Sequence, residues 1–203
     1  MKFDRYIKLI FEALQEKTAV FSYGRYNPPT IGHQLLIDKL KNEAKKVNGD
    51  AFLIPSHTQD NKKNPLSLEE KINLLKKMAP GVGVLDTGKT LVGALQDLQS
   101  RGYTNVIQIA GSDRIPEYQF IRDKYNGKPA KDGVIPFEFN TYEIVSSGER
   151  DPDSEGVEGM SASKVRDFAI NGDYDSFNHG ISPVLGEQDK RSVYNAIRER
   201  IKR

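Results

Sequence analysis

The chain has 203 residues, enough for one α/β domain with a small appendage and a substantial core, and too few for a second full domain. Its 30 Lys and Arg against 28 Asp and Glu leave a formal charge of +2, so no strong field marks it for nucleic acid or an anionic membrane surface. The absence of Cys excludes disulfides, thiolate nucleophiles and Cys-based zinc sites, and fits a cytoplasmic protein. The N-terminal residues lack the pattern of a signal peptide, and no apolar run reaches the ~20 residues of a membrane helix.

Residues 3–16 place Tyr6, Ile7, Ile10, Phe11 and Leu14 at helical spacing, which predicts an amphipathic helix docked on the domain within an N-terminal segment 1–18. The main domain spans 19–170, opening with a strand at 19–23, a turn-rich loop at 24–29 and a helix from Ile31 through Ala44. Residues 51–55 read as the second strand, Ser67 opens a helix with Glu70 as its capping-box partner, and 82–86 read as the third strand. A helix covers 90–101, and 106–110 is a nearly all-apolar fourth strand of the buried parallel kind. Residues 137–145 add a fifth strand, and the polar, Gly-rich stretch 146–159 reads as a mobile loop before a helix that starts near Ser161. A C-terminal segment, 171–203, ends in a charged helix with Val193, Ile197 and Ile201 on one side. Alternating strands and helices predict an α/β fold, a doubly wound parallel sheet with helices on both faces.

Two constellations carry chemistry. The first is the loop and helix start at 24–33, placed after strand one, where open parallel sheets bind ligands. Gly24 and Gly32 allow close backbone approach, Pro28 and Pro29 stiffen the loop, and Thr30 and His33 share a helix face. A hydroxyl and an imidazole aimed together suit charge that develops on phosphate oxygens. A purely architectural role, His33 capping the helix and packing on Tyr26, fits the same spacing. The second constellation is at 159–166: Ser161 as N-cap, Ser163 beside it, and Arg166 one turn later. Hydroxyls, free amides and a guanidinium at a helix N-terminus make a polyphosphate cradle, although an ordinary capped helix with a surface Arg has the same residues.

Thr30-x-Gly32-His33 after Gly24-Arg25-Tyr26-Asn27-Pro28-Pro29, followed by Ser161-x-Ser163-x-x-Arg166, resembles the paired motifs of the nucleotidyltransferase superfamily. Ser56-His57-Thr58 and the run from Asn64 to Lys71 are similar to the stretch after strand two in nicotinamide mononucleotide adenylyltransferases, and Gly111-Ser112-Asp113 resembles a nucleotide-contacting Gly-x-Asp. The resemblance implies a Rossmann-like nucleotidyltransferase fold and direct in-line transfer of AMP from ATP to a phosphorylated small molecule, first choice nicotinamide mononucleotide, with pyrophosphate leaving. It implies that Thr30 and His33 act on the α-phosphate, that Ser161, Ser163 and Arg166 hold the β- and γ-phosphates with Arg166 counted among the catalytic residues, and that Gly24, Arg25, Tyr26, Asn27, Gly32, Gly111 and Asp113 also contact the nucleotide. Lys62, Lys63, Asn64 and Arg150 are candidate phosphate or acceptor contacts, and Mg²⁺ is expected to ride on the triphosphate and water rather than on dedicated protein ligands. The chain has no Trp to stack a pyridine ring, which leaves Tyr118, Phe120 or Tyr142. Phosphopantetheine adenylyltransferase, a CTP-using cytidylyltransferase and a catalytically inactive nucleotide-binding sensor stand as alternatives. No nucleic acid or membrane partner is expected, and the chain can be a monomer or a homo-oligomer.

A competing pattern, Gly83-x4-Gly88-Lys89-Thr90, matches a phosphate loop, but a true one follows a complete strand. Here only residues 80–82 separate Gly83 from the preceding helix, so Thr90 is read as the cap of the next helix.

Overall fold

The computed structural model describes residues 16–87, 89–148 and 160–201. The helix expected over 3–16 falls almost wholly outside these residues, as do Arg150 and most of the 146–159 loop.

Five parallel strands form the sheet: β1 (Thr18–Gly24), β2 (Asp50–Pro55), β3 (Gly83–Val84), β4 (Asn105–Ala110) and β5 (Thr141–Ser146), in the order β3-β2-β1-β4-β5. The connecting helices are α1 (Ile31–Val47), α2 (Leu68–Met78), α3 (Leu91–Ser100) and α4 (Ile115–Tyr125), followed by α5 (Ala162–Asn171), α6 (Tyr174–Gly180) and α7 (Glu187–Arg200). Successive strand residues point to opposite faces, so each strand feeds two cores. Val20, Leu53 and Ile109 pack with α1, α2, α5, α6 and α7 on one face. Ala19, Phe21, Ile54 and Val106 pack with α3 and α4 on the other. The expected doubly wound sheet is therefore present.

Local chemistry explains where the elements depart from the sequence reading. Strand three is only Gly83–Val84: the chain turns at Gly81 (φ +82°) and the Val82 N–H bonds back to Ala79 O, so pairing begins late. Strand five starts at Thr141 rather than 137, because the Asn126 side chain takes both the N–H and the carbonyl of Phe139 (2.8 and 3.1 Å). Phe137 and Phe139 are instead buried against Tyr142. Helix α4 was hidden from periodicity because Tyr118 is its one buried residue.

The C-terminal helices belong to the same core. Val193, Tyr194 and Ile197 of α7 pack into it, and Arg200 grips Glu70 with both guanidinium nitrogens (2.6 and 2.9 Å) while also donating to Pro65 O (3.1 Å). Glu70 simultaneously accepts from the Ser67 N–H (2.7 Å), completing the capping box that the sequence announces. Ile197 is fully buried, and Ile197→Ala should lower unfolding free energy by about 2–4 kcal/mol. Urea unfolding measures it; a change below about 1 kcal/mol would show that α7 is only loosely docked.

Candidate functional site

The strand order reverses between β1 and β4, and in an open parallel sheet the crevice at the carboxyl ends of those strands is where ligands sit. A cleft of about 470 Å³ lies there, walled by the β1–α1 loop, the Ala110-to-Arg114 turn and the start of α5.

The β1–α1 loop is wound tightly. Tyr26 adopts a left-handed backbone (φ 46°), a conformation that costs a bulky residue about 1–2 kcal/mol. Surrounding bonds hold it there. Its ring is buried, packs 5.0 Å from the His33 ring and donates its hydroxyl to Ser22 O. Asn27, also buried, uses its side-chain amide to bond both polar backbone groups of Leu66 (3.1 and 2.9 Å). Its own carbonyl accepts from Arg166 Nη1 at 2.7 Å. Ser182 N–H reaches Pro29 O, and Ile181 bridges to Thr30.

Thr30 caps α1, and its N–H donates to His33 Nδ1 at 3.0 Å; the Thr30 hydroxyl lies 2.9 Å from the same nitrogen. A backbone N–H can only donate, so Nδ1 carries the lone pair and the neutral ring bears its proton on Nε2. The architectural role considered for His33 is thus real, and it fixes the tautomer of a ring that also lines the cleft. Gly32 lies on the same wall in ordinary helical conformation; a Cβ there would meet Thr30 Oγ1 and the Met160 carbonyl at 3.7 and 3.8 Å, normal contact distances. The fold does not demand this glycine. Gly111 differs, since a Cβ there would lie 2.8 Å from the Asp113 carboxylate, which folds back over the turn.

At the start of α5, Ser161 Oγ accepts from Lys164 N–H, and Ser163 Oγ accepts from Arg166 Nη2 at 2.9 Å. Both serines line the cleft, whereas Arg166 is only 8% exposed and stands behind Ser163. Its hydrogen-bond acceptors, Asn27 O and Ser163 Oγ, are neutral. Burial and then the nearby Arg25 charge push the Arg166 pKa down, although a guanidinium remains charged. Two like charges at one cleft favour an anion between them.

The structure brings Gly24, Arg25, Tyr26, Asn27, Thr30, Gly32, His33, Asn64, Gly111, Asp113, Ser161 and Ser163 onto one cleft. Lys62 and Lys63 are exposed and off its wall; their amide N–H groups bind Asp60 Oδ1, and with the Asn64 amide they hold that carboxylate well below its usual range. Of the three aromatic candidates, Tyr118 lines the cleft, Phe120 is exposed and Tyr142 is buried. Thr90 caps α3 by accepting from Gly93 N–H, as its sequence context implied. The sequence reading had not singled out Ser22, Tyr23 or Arg114 as wall residues, and it named Ser56 only within the Ser56-His57-Thr58 stretch. Strand ends were the available signal, because Ser22 and Tyr23 close β1 and Ser56 follows β2 directly.

A family model described as cytidylyltransferase-like matches residues 21–167, more than half of the chain. The chain belongs to the cytidylyltransferase-like family. The match contains every cleft residue named above, and the nucleotidyltransferase resemblance is thereby shown at family level. Among solved structures, the fold is similar to Thermotoga maritima TmcAL bound with alpha-thio ATP, at TM-score 0.55 and 13% identity over 88% of this chain and 55% of that one. A macrolide-efflux protein from Streptococcus pneumoniae aligns at TM-score 0.45 and 12% identity over 81% of this chain and 55% of that one. The chain thus spans little more than half the length of either protein. No curated protein sequence matches it. Among the described residues, no helix is long and apolar enough to cross a membrane.

Beneath the cleft, Lys71 of α2 is fully buried, and its ammonium donates to the carbonyls of Ser56 and Thr58. Burial lowers its pKa to about 8 from an ordinary 10.5. Its charge therefore penalises the fold below pH 8, and the penalty is relieved as pH rises through the window from about 8 to 10.5. The parent should gain stability relative to Lys71→Met by up to about 1.4 kcal/mol per pH unit across that window. Urea unfolding of both proteins over the same range tests this, and a pH-independent difference would contradict it.

Proposed function

We propose that this family member transfers AMP from ATP to the phosphate of a small phosphorylated acceptor, with nicotinamide mononucleotide as first choice, releasing pyrophosphate. The observation that carries the reading is the Thr30-Gly32-His33 start of α1, facing a cleft at the carboxyl ends of β1 and β4 with the tautomer of His33 fixed. The structural neighbour is bound with an ATP analogue, which is compatible with ATP as the donor.

In this mechanism a phosphate oxygen of the acceptor forms the new bond to the α-phosphorus. The bond from that phosphorus to the bridging oxygen breaks, and pyrophosphate leaves with the electron pair. His33 Nε2–H and the Thr30 hydroxyl hydrogen-bond the α-phosphate oxygens as charge grows on them. The open backbone at Gly32 lets the phosphate approach the first turn of α1. Ser161, Ser163 and the N-terminus of α5 receive the β- and γ-phosphates, with Arg25 and Arg166 supplying positive charge.

Among the described residues no three His, Asp or Glu side chains converge as a metal cage, and Asp113 is the carboxylate on the cleft wall. That donor set fits Mg²⁺ held by phosphates and water with at most Asp113 from the protein, where it would neutralise triphosphate charge.

Pyrophosphate release from ATP or CTP, measured against nicotinamide mononucleotide and phosphopantetheine, tests the reading. ATP binding without release by any pair would favour a sensor. His33→Ala should lower kcat by about 10²–10³-fold with little change in ATP affinity, and a loss below about threefold would remove His33 from the chemistry. Gly32→Ala should leave unfolding stability within about 0.5 kcal/mol of the parent, because its Cβ clashes with nothing. The same change should weaken ATP binding by about tenfold by calorimetry. Unaltered affinity would mean that no phosphate approaches this turn.

A further inference from the structure

Ser56 follows the last residue of β2 and is 3% exposed. Both of its backbone polar groups are bonded: its N–H donates to Gly24 O at 2.7 Å, and its carbonyl accepts from the buried Lys71 ammonium. Its hydroxyl is different, since Ser56 Oγ has no hydrogen-bond partner among the described residues. A buried hydroxyl without a partner is destabilising and therefore uncommon in a native fold. Ser56 lines the cleft in company with Asn64 and Asn27, its Oγ lying just beneath the cleft surface. Directly behind it is Lys71, whose pKa is lowered by burial and whose ammonium is held by the Ser56 and Thr58 carbonyls.

We propose that the Ser56 hydroxyl is a ligand-binding group that donates to a phosphate oxygen in the cleft, with Lys71 as the positioning residue that fixes Ser56 and favours an anion there. The proposal rests on the nucleotidyl-transfer reading and extends it to a residue outside both sequence motifs. A hydroxyl proton needs an acceptor, and an anionic oxygen is the one that the Lys71 charge favours. A phosphate oxygen of the triphosphate and one of the acceptor monoester share that chemistry.

The orphan hydroxyl makes a test that separates ligand binding from folding. Thr87, beyond β3, also carries a buried Oγ without a partner, but it does not line the cleft. Ser56→Ala and Thr87→Val should both unfold at or above the parent's temperature, because each removes an unsatisfied buried hydroxyl. Binding should part them. By calorimetry, Ser56→Ala should weaken either ATP alone, or nicotinamide mononucleotide and phosphopantetheine in the presence of a non-hydrolysable ATP analogue. The loss should be about tenfold to a hundredfold, the scale of a hydrogen bond to a charged group. Weakening in the first arm assigns the oxygen to the triphosphate, and in the second to the acceptor. Thr87→Val should match the parent in both arms. Ser56→Cys, near in size with a weak donor, reports the same loss if the alanine variant folds poorly. Parent-like affinity of the Ser56 variants in both arms would overturn the proposal. A parent that binds none of these probes would overturn the nucleotidyl-transfer reading and this proposal with it.

Discussion

The site depends on how the buried amide of Asn27 is satisfied. Removed from water, its polar atoms and those around it must find partners within the protein, and they find them in segments far apart in the chain. The side chain closes a two-bond pair with Leu66, and its backbone carbonyl accepts from Arg166. One residue therefore sets the β1–α1 loop against the approach to α2 and against α5. Leu66 is restrained in turn, because neighbouring Pro65 is bound to Arg200 at the end of α7. The cleft is the space that remains once these bonds are made.

Several features around that cleft are unfavourable for the folded protein taken alone. Tyr26 sits in a left-handed conformation, Arg25 and Arg166 raise each other's electrostatic energy, and Lys71 carries a buried charge held by carbonyls. Such departures from local preference concentrate where a protein binds or reacts. An anionic ligand would relieve the electrostatic part of this load, which is why the proposed phosphate site and these costs fall together.

The sheet was legible because its signals are local: β4 is almost wholly apolar, and the first two strands are bounded by turn residues. The two motifs that line the cleft were legible because each sits at a helix N-terminus after a recognisable loop. Arg166 shows the limit of such reading. Its spacing placed it beside Ser163, which is correct, but whether a guanidinium faces ligand or the protein's own carbonyl depends on Asn27, 139 residues away in the chain. Ser56 stood out only as part of the Ser56-His57-Thr58 stretch, since an unpartnered hydroxyl is defined only after every surrounding bond is known. Helix α4 lacks an apolar stripe and was invisible to periodicity, although it brings Tyr118 to the cleft wall.

The bridge between Thr30 and Ile181 joins residues 151 positions apart, and the Arg200 clasp comes later still. During synthesis, β1 and α1 emerge long before the segments that hold their loop in shape. On a ribosome making five to twenty residues per second, roughly ten seconds or more separate the two. The nascent chain can build part of its sheet in that interval, but the loop that lines the cleft acquires its final restraints only when α7 has left the exit tunnel. The cleft therefore takes its final shape only once residues as far apart as Thr30 and Arg200 have both emerged.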